Sequence, residues 1–413
     1  MNKKRRVALV VPYFPYPPVH GGIVRIYNLL KFMGHMHDIY LITFIQRQEQ
    51  LLHIPGLKKY CRKVFPVSFS KTPLDDSYPY AVREFYCMGM AHTIRRVIKQ
   101  EKIDLLHIEY AIIAGYVNFS CGIKTILTQH DTSDLFFDRS IHNRELSDKN
   151  RYTEWKKLVR YETNICGKFN KIITVTQKDK NELQAVLPSA DIEVVPTGVD
   201  TKFFSRAKTG GRATSGSNPA YGCAAGRDFA GGRTFFPADG FNLTYVGHYH
   251  HYPNEDAMVY FCKKILPLIT GKLPNVKLYI VGSGPTEKIL KLQEDRHVRV
   301  TGGVPDVRPY LKNSDVFVAP SRVGGGIKGK ILEAMSMGVP VVTNKLGSYG
   351  IEARHGKEII ITDTPGEFAA ETVKLLKNAR RRKGIAVNAR GLVERKYDWR
   401  AIAKRLAEIY RNM

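Results

Sequence analysis

Between Ala319 and Thr343 the chain reads Ala-Pro-Ser-Arg-Val-Gly-Gly-Gly-Ile-Lys-Gly-Lys-Ile-Leu-Glu-Ala-Met-Ser-Met-Gly-Val-Pro-Val-Val-Thr, a buried strand that runs into a glycine loop and then a helix. Gly324, Gly325 and Gly326 let the backbone approach an anion closely. A helix beginning near Lys328 points its unpaired N–H groups and the positive end of its dipole at the same place. Lys328 and Lys330 add cationic side chains. Glu333 falls one to two turns into the helix, where a carboxylate is better suited to accepting hydroxyl hydrogen bonds, such as those of a ribose, than to binding phosphate. These residue types at this spacing imply a nucleoside diphosphate. The same glycines would also serve a plain strand-to-helix turn.

A second glycine pair follows the first apolar run, in Pro12-Tyr-Phe-Pro-Tyr-Pro-Pro-Val-His-Gly-Gly-Ile-Val-Arg-Ile-Tyr-Asn28. Gly21 and Gly22 open a helix and again present backbone donors to an anion, with His20 beside them undecided in role. The spacing is not GxGxxG, so a dinucleotide cofactor loses support. Two such helix starts on two domains would clamp a diphosphate in a cleft. His130 ends a strand and is followed by Asp131 and Asp134; alone it fits a structural histidine as well as a cleft residue. His248, His250 and His251 crowd one loop, but no Cys or acidic ligand stands at metal-site spacing, and no metal is expected. Asp75-Asp76 lies among prolines and reads as a solvated turn.

The elements that must position these residues alternate between short aliphatic runs and helical segments, as in parallel sheets with crossover helices. The pattern occurs twice. The strand expectations are Val7–Val11, Ile39–Phe44, Leu105–Ile108, Thr125–Thr128, Ile172–Thr176 and Ile192–Val195, then Leu243–Val246, Lys277–Val281, Val298–Thr301, Val316–Ala319, Val339–Thr343 and Ile359–Thr362. Residues 205–240 are rich in Gly, Ala, Ser and Arg and mark a linker or insertion. The expected organisation is therefore a first domain over 1–204, a second over 241–396, and an amphipathic basic helix within 397–413 that packs as a terminal helix.

At 413 residues the chain is longer than single cores usually grow, and 43% hydrophobic residues can fill two. The net charge, 64 − 38 = +26, favours an anionic partner without choosing among nucleotide sugars, acidic lipid surfaces and nucleic acids. Six cysteines without a CxxC pair indicate neither a zinc ribbon nor a disulfide framework, and a reducing cytosol is the simplest location. The start Met1-Asn-Lys-Lys-Arg-Arg6 has the charge of a signal peptide, but the apolar run after it is too short and meets Pro12. No run approaches the ~20 apolar residues of a membrane span, so any membrane contact is peripheral.

On these residues the chain resembles the retaining glycosyltransferases of family 4, of α/β class with the GT-B fold: two Rossmann-like domains facing across a cleft. The resemblance covers nearly the whole chain. It rests on Gly21-Gly22, Gln129-His130-Asp131, Val195-Pro-Thr-Gly-Val-Asp200, Tyr245-Val-Gly247 and the glycine-loop helix with Glu333. Asn254-Glu-Asp-Ala257, Gly303-Val-Pro-Asp-Val307 and Val323-Gly-Gly-Gly326 are similar to its exopolysaccharide-associated branch. The resemblance implies that Gly21 and Gly22 contact the donor diphosphate or its sugar, and that backbone N–H groups of Gly326, Ile327 and Lys328 hold the diphosphate. It further implies that Glu333 binds the ribose, that Val304 and Pro305 border the base, and that His130 lies beside the anomeric carbon as the catalytic histidine.

Two departures stand out. The family often has two glutamates eight positions apart, but Gly325 stands eight before Glu333. It also commonly places an Arg and a Lys after the first strand of the second domain, where this chain has His248 and Asn254. The missing cation would come from His248, Arg322, Lys328 or Lys330. The expected activity is sugar transfer from a nucleotide-diphosphate donor to a glycan or lipid-linked saccharide, with no cofactor, and with reversible contact to an anionic membrane surface. A nucleotide-sugar 2-epimerase shares the architecture and is the alternative. A nucleic-acid binder would need interleaved aromatic or groove-reading motifs that the sequence lacks, so no nucleic-acid partner is expected.

Overall fold

The computed structural model describes residues 4–18, 21–132, 148–206 and 240–413. His20, Asp134, Cys223 and residues 207–239 of the Gly/Ala-rich segment lie outside them. The chain divides into two compact units: Met1–Tyr16, Gly22–Thr197 and Arg400–Met413 form the first, and Pro17–Gly21 with Gly198–Trp399 the second. This differs from the domain limits drawn above in two ways. The Val195–Asp200 motif is split between the units, and the end of the terminal helix belongs to the first.

Unit 1 is built on seven strands: β1 (Arg6–Val11), β2 (Asp38–Ile45), β3 (Lys63–Ser68), β4 (Leu105–Glu109), β5 (Lys124–Gln129), β6 (Lys171–Thr174) and β7 (Ile192–Val194). They form one parallel sheet in the order β3-β2-β1-β4-β5-β6-β7. The central strands are buried nearly throughout, because crossover helices cover both faces, and this is why they read as unbroken aliphatic runs. Strand β3 escaped the sequence reading. It carries Pro66, lies at the sheet edge beside β2 and leaves Lys63, Pro66 and Ser68 exposed, as an edge strand tolerates.

Unit 2 repeats the plan with β8 (Phe241–Val246), β9 (Val276–Val281), β10 (Val298–Gly302), β11 (Val316–Ala319), β12 (Val341–Thr343) and β13 (Ile360–Ile361), parallel in the order β10-β9-β8-β11-β12-β13. In each sheet the order reverses beside its first strand, between β1 and β4 and between β8 and β11. Ligands of open α/β sheets bind outside the carboxyl ends of the strands at such a reversal.

The C-terminal helix Trp399–Asn412 buries Ile402, Leu406, Ile409 and Tyr410. Tyr410 meets His107 of β4, and the Ala407 carbonyl meets His37, so the apolar face is spent on packing in unit 1.

Candidate functional site

In unit 2, β11 delivers the chain to residues 320–328 and then to the helix Gly329–Ser336. Burial of Ile331, Leu332 and Met335, each worth about 1.5–3 kcal/mol, fixes that helix on the sheet. Its N-cap residue, Lys328, makes no side-chain cap. Gly324 and Gly326 have φ of +93° and +67°, which side chains rarely adopt, so these two glycines are demanded by the loop itself.

Lys328 does something the sequence did not reveal. Its Nζ donates to the carbonyls of Gly324, Gly325 and Gly326 at 3.0, 2.8 and 3.0 Å. An ammonium has three donors, and all three are matched. In a trans peptide the N–H points opposite to the C=O, so drawing these carbonyls onto Nζ turns the N–H groups of Gly325, Gly326 and Ile327 away from it. Lys328 therefore shapes the backbone of this loop, and the side chain expected to offer a cation to phosphate is engaged with these carbonyls here.

The cation in the loop's neighbourhood is Lys330. Its Nζ donates to the Tyr245 hydroxyl at 2.9 Å and to Asn254 Oδ1, and lies 4.4 Å from the centre of the Tyr245 ring. Burial pushes its pKa down to about 7, against the pull of Glu333 and with the push of Lys328. Asn254 in turn donates to the His248 carbonyl at 2.8 Å. An ammonium thus sits against the very asparagine that replaces the family's lysine. Glu333, buried, follows Lys330 by three positions and shares its helix face.

Other expected donor contacts fall out differently. Arg322 is held bidentate by Asp256, at 3.0 and 2.5 Å, and lies over Tyr260, so its charge is already met. His248 Nδ1 pairs with Ser283 Oγ at 2.9 Å, and burial, with His250 nearby, lowers its pKa below the ordinary histidine value. It is a neutral ring at pH 7. Val304 is buried in the core while Pro305 is exposed, so only the second of that pair offers a side chain to a ligand.

In unit 1 the helix Gly21–Met33 follows β1, at the strand-order reversal. Gly21 has open space where a side chain would stand. At Gly22 an added Cβ would lie 1.6 Å from the Tyr110 hydroxyl, so this glycine is required by Tyr110 before any ligand arrives. Tyr110 leaves β4 with φ +81°, a strain of about 1–3 kcal/mol that clusters at functional sites.

The ring of Tyr110 stacks on His130, centroids 3.8 Å apart and planes within 4°. The imidazole edge is held as well: Nε2 lies 2.5 Å from Glu109 Oε2. Glu109 and His130 meet because β4 and β5 are neighbours with Glu109 opposite Thr128. Thr128 Oγ1 donates to the other Glu109 oxygen at 3.3 Å. Burial pushes the Glu109 carboxyl up, but the hydrogen bond from His130 and the positive charges around it, Arg25 among them, hold it down to about 2. Burial lowers the pKa of His130, with Glu109 opposing. Arg25 is fully buried and donates to the Pro196 carbonyl at 2.6 Å, while its Nε and Nη2 have no hydrogen-bond partner among the described residues. Glu109, Tyr110 and Arg25 were missed by sequence reasoning; the one available signal was a glutamate ending an aliphatic strand.

The comparisons with known proteins fit this geometry. A model described as glycosyl transferases group 1 matches residues 240–378, and one described as glycosyltransferase family 4 matches residues 19–203. The chain is a GT-B glycosyltransferase. Its fold is shared with sucrose-phosphate synthase from Thermosynechococcus elongatus (TM-score 0.69, 14% identity, 99% of each chain). It is also shared with Anabaena Alr3699/HepE in complex with UDP (TM-score 0.66, 14% identity, 99% of this chain and 100% of that one). By sequence, an uncharacterised 44.6 kDa protein from the cps region of Klebsiella pneumoniae is 20% identical over 95% of this glycosyltransferase and 96% of its own length. The GDP-mannose-dependent alpha-(1-6)-phosphatidylinositol monomannoside mannosyltransferase of Mycolicibacterium smegmatis is 28% identical over 54% of this chain and 56% of its own length.

A cavity of about 910 Å³ lies elsewhere in unit 2, lined by Arg206, Asp315, Pro340, Arg382, Lys383 and Arg390. Asp315 precedes β11 and Pro340 precedes β12, so it opens at the amino edge of the sheet, opposite the glycine loop.

Proposed function

We propose that this glycosyltransferase moves a sugar from a nucleotide-diphosphate donor to a glycan or lipid-linked saccharide with retention of anomeric configuration, in envelope or exopolysaccharide synthesis. The observation that carries the reading is the start of the helix Gly329–Ser336, preceded by peptides whose carbonyls face Lys328 Nζ and whose N–H groups turn away from it, with Glu333 inside the helix, at a strand-order reversal. There the diphosphate accepts the N–H groups of Gly326 and Ile327, Glu333 takes the ribose hydroxyls, and Pro305 borders the base. Lys330 supplies the cation that His248 and Asn254 do not. Stabilising the departing diphosphate is the main electrostatic task, and the acceptor hydroxyl attacks from the same face of the sugar. The resemblance gives His130 the role of the catalytic histidine.

Relatives named as mannosyltransferases, a cps-region relative and neighbours solved with UDP or UDP-glucose support a sugar-nucleotide donor without choosing the sugar. The test is a donor panel with purified protein. Nucleotide release that rises when lipid-linked glycan extract is added supports transfer, and the anomeric configuration of the product reports retention. Release of an epimerised sugar without acceptor would instead favour the epimerase.

Contact with acidic lipid belongs to the same proposal on narrower ground. Arg5 and Arg6 bond to the Arg411 and Glu101 carbonyls, Arg381 pairs with Glu371, and Arg382 with Asp315. Lys4, Arg380 and Lys383 remain as exposed cations, each worth roughly 1 kcal/mol beside an anionic surface. Sedimentation with anionic vesicles at low salt, lost at about 1 M salt where the Debye length is near 3 Å, is the expected result. Equal recovery with neutral vesicles contradicts it.

A further inference from the structure

The described polar groups behind His130 form a chain whose hydrogen-bond directions follow from the Thr128–Glu109 bond. Glu109, ionised, only accepts. With Thr128 giving its hydroxyl proton to Glu109 Oε1 at 3.3 Å, its oxygen accepts from His107 Nε2 at 2.7 Å. With the His107 proton on Nε2, its Nδ1 accepts from the Tyr410 hydroxyl at 2.5 Å. The chain runs from the C-terminal helix to the carboxylate without a break. His107, pushed down by burial to about 4, stays neutral at pH 7, as this direction requires.

We propose that Glu109 is a positioning residue that keeps His130 as the Nε2–H tautomer, so that Nδ1 is a lone pair available to a hydroxyl of the transferred sugar. Glu109 Oε2 accepts the hydrogen bond from Nε2–H at 2.5 Å, and Tyr110 fixes the ring plane by stacking. No described residue bonds to Nδ1, and the His130 side chain is 14% exposed. The hydrogen bond from His130, with smaller help from the charges of His130, His107 and Arg25, keeps the buried carboxylate ionised. The sugar contact rests on the function proposed above; the tautomer does not.

The experiment separates the two. In the full chain labelled with ¹⁵N-histidine, long-range ¹H–¹⁵N correlation reports which ring nitrogen of His130 carries the proton. The expected result is a single Nε2–H form near pH 7.5. Glu109→Gln removes the charge that holds that proton, and the Nδ1–H form becomes measurable. With a donor identified from the panel, kcat falls about 10–100-fold, the range for losing an orienting partner, while KM for the donor changes less than about threefold. Glu109→Asp, which keeps the charge, recovers part of kcat. Should Glu109→Gln fail to fold around Arg25, the Arg25→Met/Glu109→Gln double variant is read in the same way.

An Nδ1–H form in the parent, or a folded Gln variant with unchanged tautomer and kcat, overturns the proposal. If no donor in the panel is turned over, the functional reading fails while the tautomer result still stands.

Discussion

The two glycine sites of this chain solve different problems. In unit 1 the candidate site is built on buried charge: Glu109 and Arg25 are fully buried, and His130, partly exposed, is oriented by Glu109 on the adjoining strand. In unit 2 the candidate site is built on backbone: a lysine gathers three carbonyls so that the opposite N–H groups turn away from it, and the N-cap residue makes no side-chain cap. A buried carboxylate–imidazole pair is suited to holding one proton and one orientation. A fan of amides is suited to an anion that must bind and leave. The difference predicts that substitutions in unit 1 change turnover, and those in unit 2 change affinity.

The largest expected effect is at His130. His130→Ala should melt near the parent temperature, bind nucleotide, and transfer sugar at least ~100-fold more slowly, the low end for a positioned catalytic group. Activity that merely follows the folded fraction would make this histidine structural. Next is Glu333→Ala, which removes one or two charge-assisted hydrogen bonds of about 1.5–3 kcal/mol each, so calorimetry should show nucleotide affinity reduced tenfold or more. Unchanged affinity in a folded variant would remove the ribose assignment.

Lys328→Met sharpens the comparison further. It leaves three carbonyls without their donor while removing no contact to the diphosphate, and nucleotide affinity should fall about fivefold, the equivalent of one net hydrogen bond of about 1 kcal/mol. A loss as large as that of Glu333→Ala would indicate direct contact.

The smallest effect is in pH. Lys330 titrates near 7 in the free protein, and a diphosphate ester of fixed charge favours its protonated form, raising that value on binding. Affinity for a nucleotide sugar is therefore full below pH 7 and declines a few fold as pH rises from 7 towards 9. Lys330→Gln should flatten the profile. A nucleotide sugar is the right ligand, since a free terminal phosphate itself titrates near ~6.

Much of the fold was legible because parallel strands covered on both faces are aliphatic throughout, and this is how β1, β4, β5 and β11 announce themselves. The edge strand β3 was not, since half its side chains face solvent. The unit 2 site was readable because loop, helix start and Glu333 are contiguous in sequence. Glu109 and His130 are 21 positions apart and meet only through the β4–β5 register, which no local pattern encodes. The contacts of Lys328 were not legible for a related reason: residue type gives its charge, and only the folded loop shows where its three donors go.

The central claim is that the donor diphosphate is held by the backbone at the start of the helix Gly329–Ser336. It is tested most directly by amide spectra of ¹⁵N-glycine-labelled protein titrated with a nucleotide sugar. The account predicts that Gly325, Gly326 and Gly329 shift together, saturate with the affinity found by calorimetry, and exchange more slowly with solvent in the complex. It would be contradicted if those signals stayed still while Gly338 and Gly391, which line the large cavity at the opposite edge of the sheet, moved instead.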